Sequence, residues 1–241
     1  MWGRLGTVVC AVLVSAGPVG AQGIITTVAG STWVFRGDGG PATDAPLGEI
    51  TGVAVDSAGN VLAADRDNNL VVKVSTTGVL TVVAGNGIRG FSGDGGPATS
   101  ASMRNPEGVA VDGASNLYIA DSGNQRMRRV SAGGIIATLA GNGLFKFAGD
   151  GGPATSASLY FTLGVAVVRG TSLYIADTEN QRVRKVSPGG AISTLAGTGS
   201  TGPDGGGFAG DDSQAANASL RRPSGVAVDA AGNFYVADKR N

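Results

Sequence analysis

Histidine is absent from this 241-residue chain, and that absence removes much of the usual catalytic chemistry. Ser-His-Asp triads, Cys-His pairs and histidine-ligated zinc or iron centres cannot be assembled without it. Carboxylate chemistry and an oxygen-ligated ion such as calcium stay open. The one cysteine, Cys10, lies inside an N-terminal apolar run, so disulfides are excluded and stability must come from packing. It follows Val9 within that run, whereas a lipid-accepting cysteine sits after the run behind a small residue. Charge is in balance, with 18 Lys and Arg against 18 Asp and Glu, which leaves no electrostatic case for nucleic acid or an anionic membrane. Aromatic residues make up only 5% of the chain, while glycine occupies 42 positions; that bias points to many tight turns.

The first residues read as a processing signal. Met1 to Arg4 carries one positive charge, Leu5 to Val14 is apolar, and Val19-Gly20-Ala21 offers small residues before Gln22, the three-part layout of a secretory leader. The apolar run is too short for a membrane-spanning helix, which needs about 20 residues. Residues 1–21 are therefore expected to be removed, leaving 22–241 as an exported region that is secreted, periplasmic or on the cell surface.

That region repeats. Gly-Val-Ala-Val begins at Gly52, Gly108, Gly164 and Gly225, at spacings of 56, 56 and 61. The extra residues of the last spacing fall around Thr201 to Gly207, which reads as a surface loop. Within one unit, Val109 to Asp112, Leu117 to Asp121, Arg126 to Ser131 and Ile135 to Ala140 are short β-prone segments separated by Gly, Asn, Asp and Ser, the pattern of strands joined by hairpins. Four antiparallel strands per repeat predict an all-β fold, a β-propeller of four-stranded blades. The blades fall at about 52–85, 108–141 and 164–197, with a partial one at 225–241. A parallel solenoid is the rival, but it uses one or two strands per turn.

The first strand, almost wholly apolar, suits the inner part of a blade. The third alternates, which predicts a charged side bearing Arg126 and Arg128. A recurrent connector follows each blade. It carries Gly-Asp-Gly-Gly-Pro-Ala-Thr-Ser-Ala-Ser at Gly93 to Ser102 and Gly149 to Ser158, with a shorter version at Gly37 to Asp44. Pro97 and the residues after it predict one helical turn. Ile24 to Gly30 matches the fourth strands, so the chain starts on a fourth strand and stops after the second strand of its last repeat. An incomplete ring is expected, with further repeats beyond Asn241; without them Asp229 to Asn241 would expose an unpaired edge.

Gly108-Val109-Ala110-Val111-Asp112, Asn116-Leu117-Tyr118-Ile119-Ala120-Asp121 and Asn124-Gln125-Arg126 with Arg129-Val130 resemble the NHL-repeat β-propellers, particularly the bacterial extracellular, teneurin-like NHL type. A second copy runs through Leu173 to Asp177, Asn180-Gln181-Arg182 and Lys185-Val186. The resemblance implies a ring of about six blades and a binding or scaffold role toward protein or carbohydrate partners. It leaves open a propeller-type enzyme, a calcium-dependent lactonase-like hydrolase or a lyase, and equally one module of a larger surface protein with the activity elsewhere. Gln125 and Gln181 stand where the family often has histidine, Leu70 replaces an arginine, and Val168 replaces the aspartate found at Asp56, Asp112 and Asp229.

No catalytic set and no cofactor site emerges. Asp38, Asp94 and Asp150, each in Gly-Asp-Gly-Gly, are the calcium candidates, beside a structural reading in which each holds a glycine turn. Asp211-Asp212 is the one pair of adjacent carboxylates near such a loop. Asp65, Asp121, Asp177 and Asp238 end their second strands, with Arg126 and Arg182 starting the next, and read either as a carboxylate ring at one mouth of the propeller or as a hairpin cap or a salt bridge to an arginine of the same or an adjacent blade. Arg128, Arg129, Arg184 and Lys185 read as a solvated basic face. Asn217-Ala218-Ser219 fits a glycosylation sequon.

Overall fold

The computed structural model describes residues 35–168, 172–199 and 210–241. The leader at 1–21, the strand expected at 24–30 and the insertion around Thr201 to Gly207 lie outside the described residues. Three blades are complete. The first holds β1 (Ile50–Val55), β2 (Val61–Asp65), β3 (Leu70–Val74) and β4 (Leu80–Ala84). The second holds β5 (Pro106–Val111), β6 (Leu117–Asp121), β7 (Arg126–Val130) and β8 (Ile136–Ala140). The third holds β9 (Thr162–Val167), β10 (Leu173–Asp177), β11 (Arg182–Val186) and β12 (Ile192–Ala196). A two-stranded sheet of β13 (Pro223–Val228) and β14 (Phe234–Asp238) follows. Every ladder is antiparallel between chain neighbours, so the architecture is the propeller blade and not the solenoid; among the described residues the sheets do not close.

Turn chemistry explains the hairpins. The Asp112 carboxylate accepts from the backbone N–H of Ala114 and Asn116, and from the Asn116 amide, holding the β5–β6 turn. Asp56 and Asp229 do the same in their repeats. The Asn60 amide bond holds the Asp56 carboxyl below the usual carboxylate range. At the β6–β7 end a single 3-10 turn, Ser122–Asn124, leads into Gln125 at a φ of 54°.

The first strands β1, β5, β9 and β13 pack side by side, one per blade. The glycine of each Gly-Val-Ala-Val makes this approach possible: a Cβ on Gly52 would overlap the Glu107 carbonyl oxygen, and one on Gly108 the Leu163 carbonyl oxygen. Glycine here is required by a neighbouring blade and not by backbone conformation.

The apolar core lies between blades. Leu62, Ala64 and Val71 of the first meet Val109, Ile119 and Ile136 of the second, with Ala98, Ala101 and Met103 of the connector inserted between them. The next interface repeats the plan with Ala154, Ala157 and Leu159. Burying one such side chain as large as Met103 contributes about 1.5–3 kcal/mol, so these two connectors are part of the core.

The expected helical turn is a 3-10 turn, Ala98–Ser100, and Pro97 caps it from outside with extended backbone instead of opening it. The connector also covers the outer edge of the following blade: Gly95 N–H donates to Ile136 O, and Ile136 N–H to Gly96 O. Such coverage blunts edge-to-edge aggregation. Strand β5 begins at Pro106, earlier than expected, because Pro106 pairs with Asp121 across a bulge. No helix among the described residues is long and apolar enough to cross a membrane.

Candidate functional site: connector loops above buried aspartate clamps

The recurrent aspartates and arginines form the same device in the second and third blades. Asp121 is wholly buried; it accepts from Arg104 N–H at 2.8 Å, the Asn124 amide at 2.9 Å and Arg128 Nη1 at 3.2 Å. Arg128, also wholly buried, reaches with Nη2 to Asp94 at 2.8 Å and to Ser92 O at 3.0 Å. The other Asp94 oxygen accepts from Thr138 Oγ1 at 2.7 Å. The next repeat duplicates this through Asp177, Arg184, Asp150 and Thr194, with Arg184 at 2.6 Å from Asp150 and 3.3 Å from Asp177. A connector is thereby fastened to the third and fourth strands of the blade it enters.

One expectation is corrected by this arrangement. Arg128 and Arg184 are not part of a solvated face, because the connector lies over it and makes it interior; Arg129 is exposed and Lys185 half-buried. Of the two readings of Asp65, Asp121 and Asp177, the structure has the cap and not the open ring: all three are buried beneath their hairpins, and Asp121 and Asp177 pair with Arg128 and Arg184 of the same blade. Asp238 keeps the capping role, accepting from Arg221 N–H at 2.7 Å.

Of the calcium candidates, Asp94 and Asp150 have both oxygens engaged by arginine and threonine. Asp38 accepts Val82 N–H at 2.7 Å in a repeat where Val72 and Val82 occupy the arginine and threonine positions. Asp211 and Asp212 are exposed on the fourth connector, and Asn217 is exposed on its 3-10 turn. Among the described residues, no group of three or more Cys, Asp or Glu is gathered as metal ligands would be.

Above the clamps the connectors display apolar side chains: Ile88 and Phe91 on one, and Leu144, Phe145, Phe147 and Tyr160 on the next, all exposed. Phe145 meets Tyr160 edge-on with centroids 5.8 Å apart. Arg126 joins the two loops, its guanidinium 3.9 Å over the Phe91 ring and its Nη2 donating to Asn142 O at 3.0 Å. Arg182 repeats this with Phe147 at 3.7 Å and Thr198 O at 2.7 Å. These aromatic residues are not among the candidates that the sequence pattern singles out. Their signal is a phenylalanine three residues before each connector aspartate, at Phe35, Phe91, Phe147 and Phe208.

Residues 89–148 match the family model of the teneurin NHL domain, and residues 220–241 that of the NHL repeat. Mouse (Mus musculus) teneurin-4 is 30% identical over 230 residues, covering 85% of this chain and 8% of its own. The chain carries NHL repeats. The Arabidopsis thaliana protein SUPPRESSOR OF QUENCHING 1, chloroplastic, is 30% identical over 173 residues, 68% of this chain and 16% of that one. Among solved structures, an auxiliary nutrient binding protein from Bacteroides thetaiotaomicron superposes with a TM-score of 0.58 at 18% identity, over 79% of this chain and 46% of that one. A chain of the nidogen/laminin complex superposes at 0.53 and 19% identity, over 80% and 58%. The NHL-repeat chain thus spans about 8% of the teneurin length and about half of these structures.

The glutamines that depart from the NHL pattern tie each hairpin to the next connector: Gln125 accepts Phe161 N–H, and Gln181 accepts Arg222 N–H. Asn69 does so toward Asn105 at 3.0 Å. Burial pushes the Asp177 carboxyl up to about 6, against the bonds from Asn180, Tyr160 N–H and Arg184. A carboxyl whose folded pKa exceeds its unfolded value, 3.8, adds stability that is full below that lower pKa and is lost as pH rises through about 6. Wild type should therefore lose stability relative to Asp177→Asn between about pH 4 and pH 7, as measured by urea unfolding at the two values; an unchanged gap would refute the shift.

Proposed function

We propose that this NHL-repeat chain is an exported binding scaffold whose connector ridge engages a protein or carbohydrate partner, as one module of a larger surface protein. One observation carries the reading. Leu144 and Phe145 are 52% and 60% exposed on a loop that is otherwise pinned by buried ion pairs and packed alanines. Neighbouring exposed apolar side chains on ordered backbone mark interaction sites, and a pre-organised loop loses little entropy on binding. The leader-like residues 1–21 support export, and the small share of the teneurins that this chain covers supports the modular reading. No catalytic step is proposed.

The test is a Leu144→Ser/Phe145→Ser double variant, screened with the parent on a printed glycan array and against a displayed random-peptide library. Stability should change little, because neither side chain is buried. Affinity for the parent's ligands should fall by about tenfold or more. Equal binding by parent and variant would refute the ridge as the site.

A further inference from the structure

We infer that the ridge takes an acidic polypeptide segment bearing apolar side chains, an inference that rests on the binding role proposed above. The loops at 85–92 and 141–148 contain Arg89 and Lys146 and no Asp or Glu. The acids that follow, Asp94 and Asp150, are paired with Arg128 and Arg184 and do not offset those cations.

The two loops are the same structure with different chemistry. Arg89 bridges in parallel to Met103, and Phe145 to Leu159, so the pair Arg89 and Arg104 occupies the positions of Phe145 and Tyr160. Where the second loop stacks two rings, the first presents two exposed guanidinium-bearing side chains. Neither arginine, nor Lys146, has an ion-pair partner among the described residues. Like charges at adjacent positions repel unless an anion lies between them. The aromatic pair alongside offers apolar area for the rest of the same ligand.

The loops' own polar groups bear on the ligand class. Asn86 donates to Ser100 O and to Ser102 Oγ, while its carbonyl accepts Ile88 N–H. Asn142 repeats this with Ser156, Ser158 and Leu144. With these amides committed to the loops, the hydroxyls of a neutral sugar would lose water without replacement partners, which is costly. A chain of zero formal net charge also exerts no long-range pull toward an anionic bilayer. Carboxylates beside leucine or aromatic side chains fit both halves of the ridge.

The experiment pans a random-peptide phage library against the immobilised full chain and measures a synthetic consensus peptide by fluorescence anisotropy. The expected consensus is rich in Asp and Glu with Leu, Phe or Trp. Its affinity should fall by about tenfold in Arg89→Glu/Arg104→Glu and again in Leu144→Ser/Phe145→Ser, with unchanged circular-dichroism melting for both. Basic or uncharged consensus peptides, or a peptide indifferent to both variants, would overturn the inference. So would ridge-dependent binding of polygalacturonate or of mixed phosphatidylcholine–phosphatidylserine vesicles in place of peptides. Polygalacturonate binding would leave the scaffold reading intact, whereas no ridge-dependent binding of any probe would remove both.

Discussion

Asp121→Ala should lower the unfolding free energy by about 3–5 kcal/mol, the range expected when one partner of a buried ion pair is removed. Arg128 would remain wholly buried with only Asp94, itself 38% exposed, to balance its charge. Arg104 N–H would lose its acceptor as well, and the Asn124 amide would keep only Gly90 O. The first repeat supplies an internal comparison. Asp65 is equally buried, but Val72 stands where Arg128 does, and Asp65 accepts from Gly48 N–H, Asn68 N–H and the Asn68 amide. Asp65→Ala leaves no buried cation behind and should cost only about 1–3 kcal/mol, the desolvation of orphaned donors. Urea midpoints at constant slope would measure both; equal losses would show that the ion pair is not what makes Asp121 indispensable.

Gly108→Ala should cost about 1–3 kcal/mol or more by overpacking. The added methyl would overlap the Leu163 carbonyl oxygen, and backbone held in the neighbouring blade cannot move aside as a side-chain tip would. Gly113, in the β5–β6 turn with nothing near its Cβ direction, is the control; its alanine variant should stay within about 0.5 kcal/mol of wild type. A scan of thermal midpoints separates the two, and equal midpoints would mean that the inner strands leave room for a methyl group between blades.

The strands are legible in the sequence because turn chemistry repeats with them: Asp112, Asn116 and Gly134 punctuate the chain where hairpins form. The connector's order is legible from its near-verbatim recurrence. The fate of Arg128 is not. Alternation along β7 reads as one face toward the core and one toward water, yet Met127 and Arg128 are both fully buried, because a blade packs on both sides and a connector adds a further layer. Charge on a strand then no longer marks solvent. Arg126 reads as the partner of an aspartate and instead stacks on Phe91, a residue 35 positions earlier that no local pattern indicates. The Gly-Val-Ala-Val glycine announces the period, but its cause, the backbone of a different blade, exists only once the blades are assembled.

Asp94 precedes Arg128 by 34 residues, and Asp150 precedes Arg184 by the same distance. The segment that contains its own fastening therefore opens at the phenylalanine ahead of each connector aspartate, as in Phe91 to Ala140, and not at the more conspicuous Gly-Val-Ala-Val. A gene duplication, or a deliberate graft, cut before Phe91 and before Phe147 moves a blade together with its anchor. The same length cut at Gly108 and Gly164 delivers Arg128 without Asp94 and Asp150 without Arg184, so the self-fastened unit of this chain is offset from the boundary that the eye finds first.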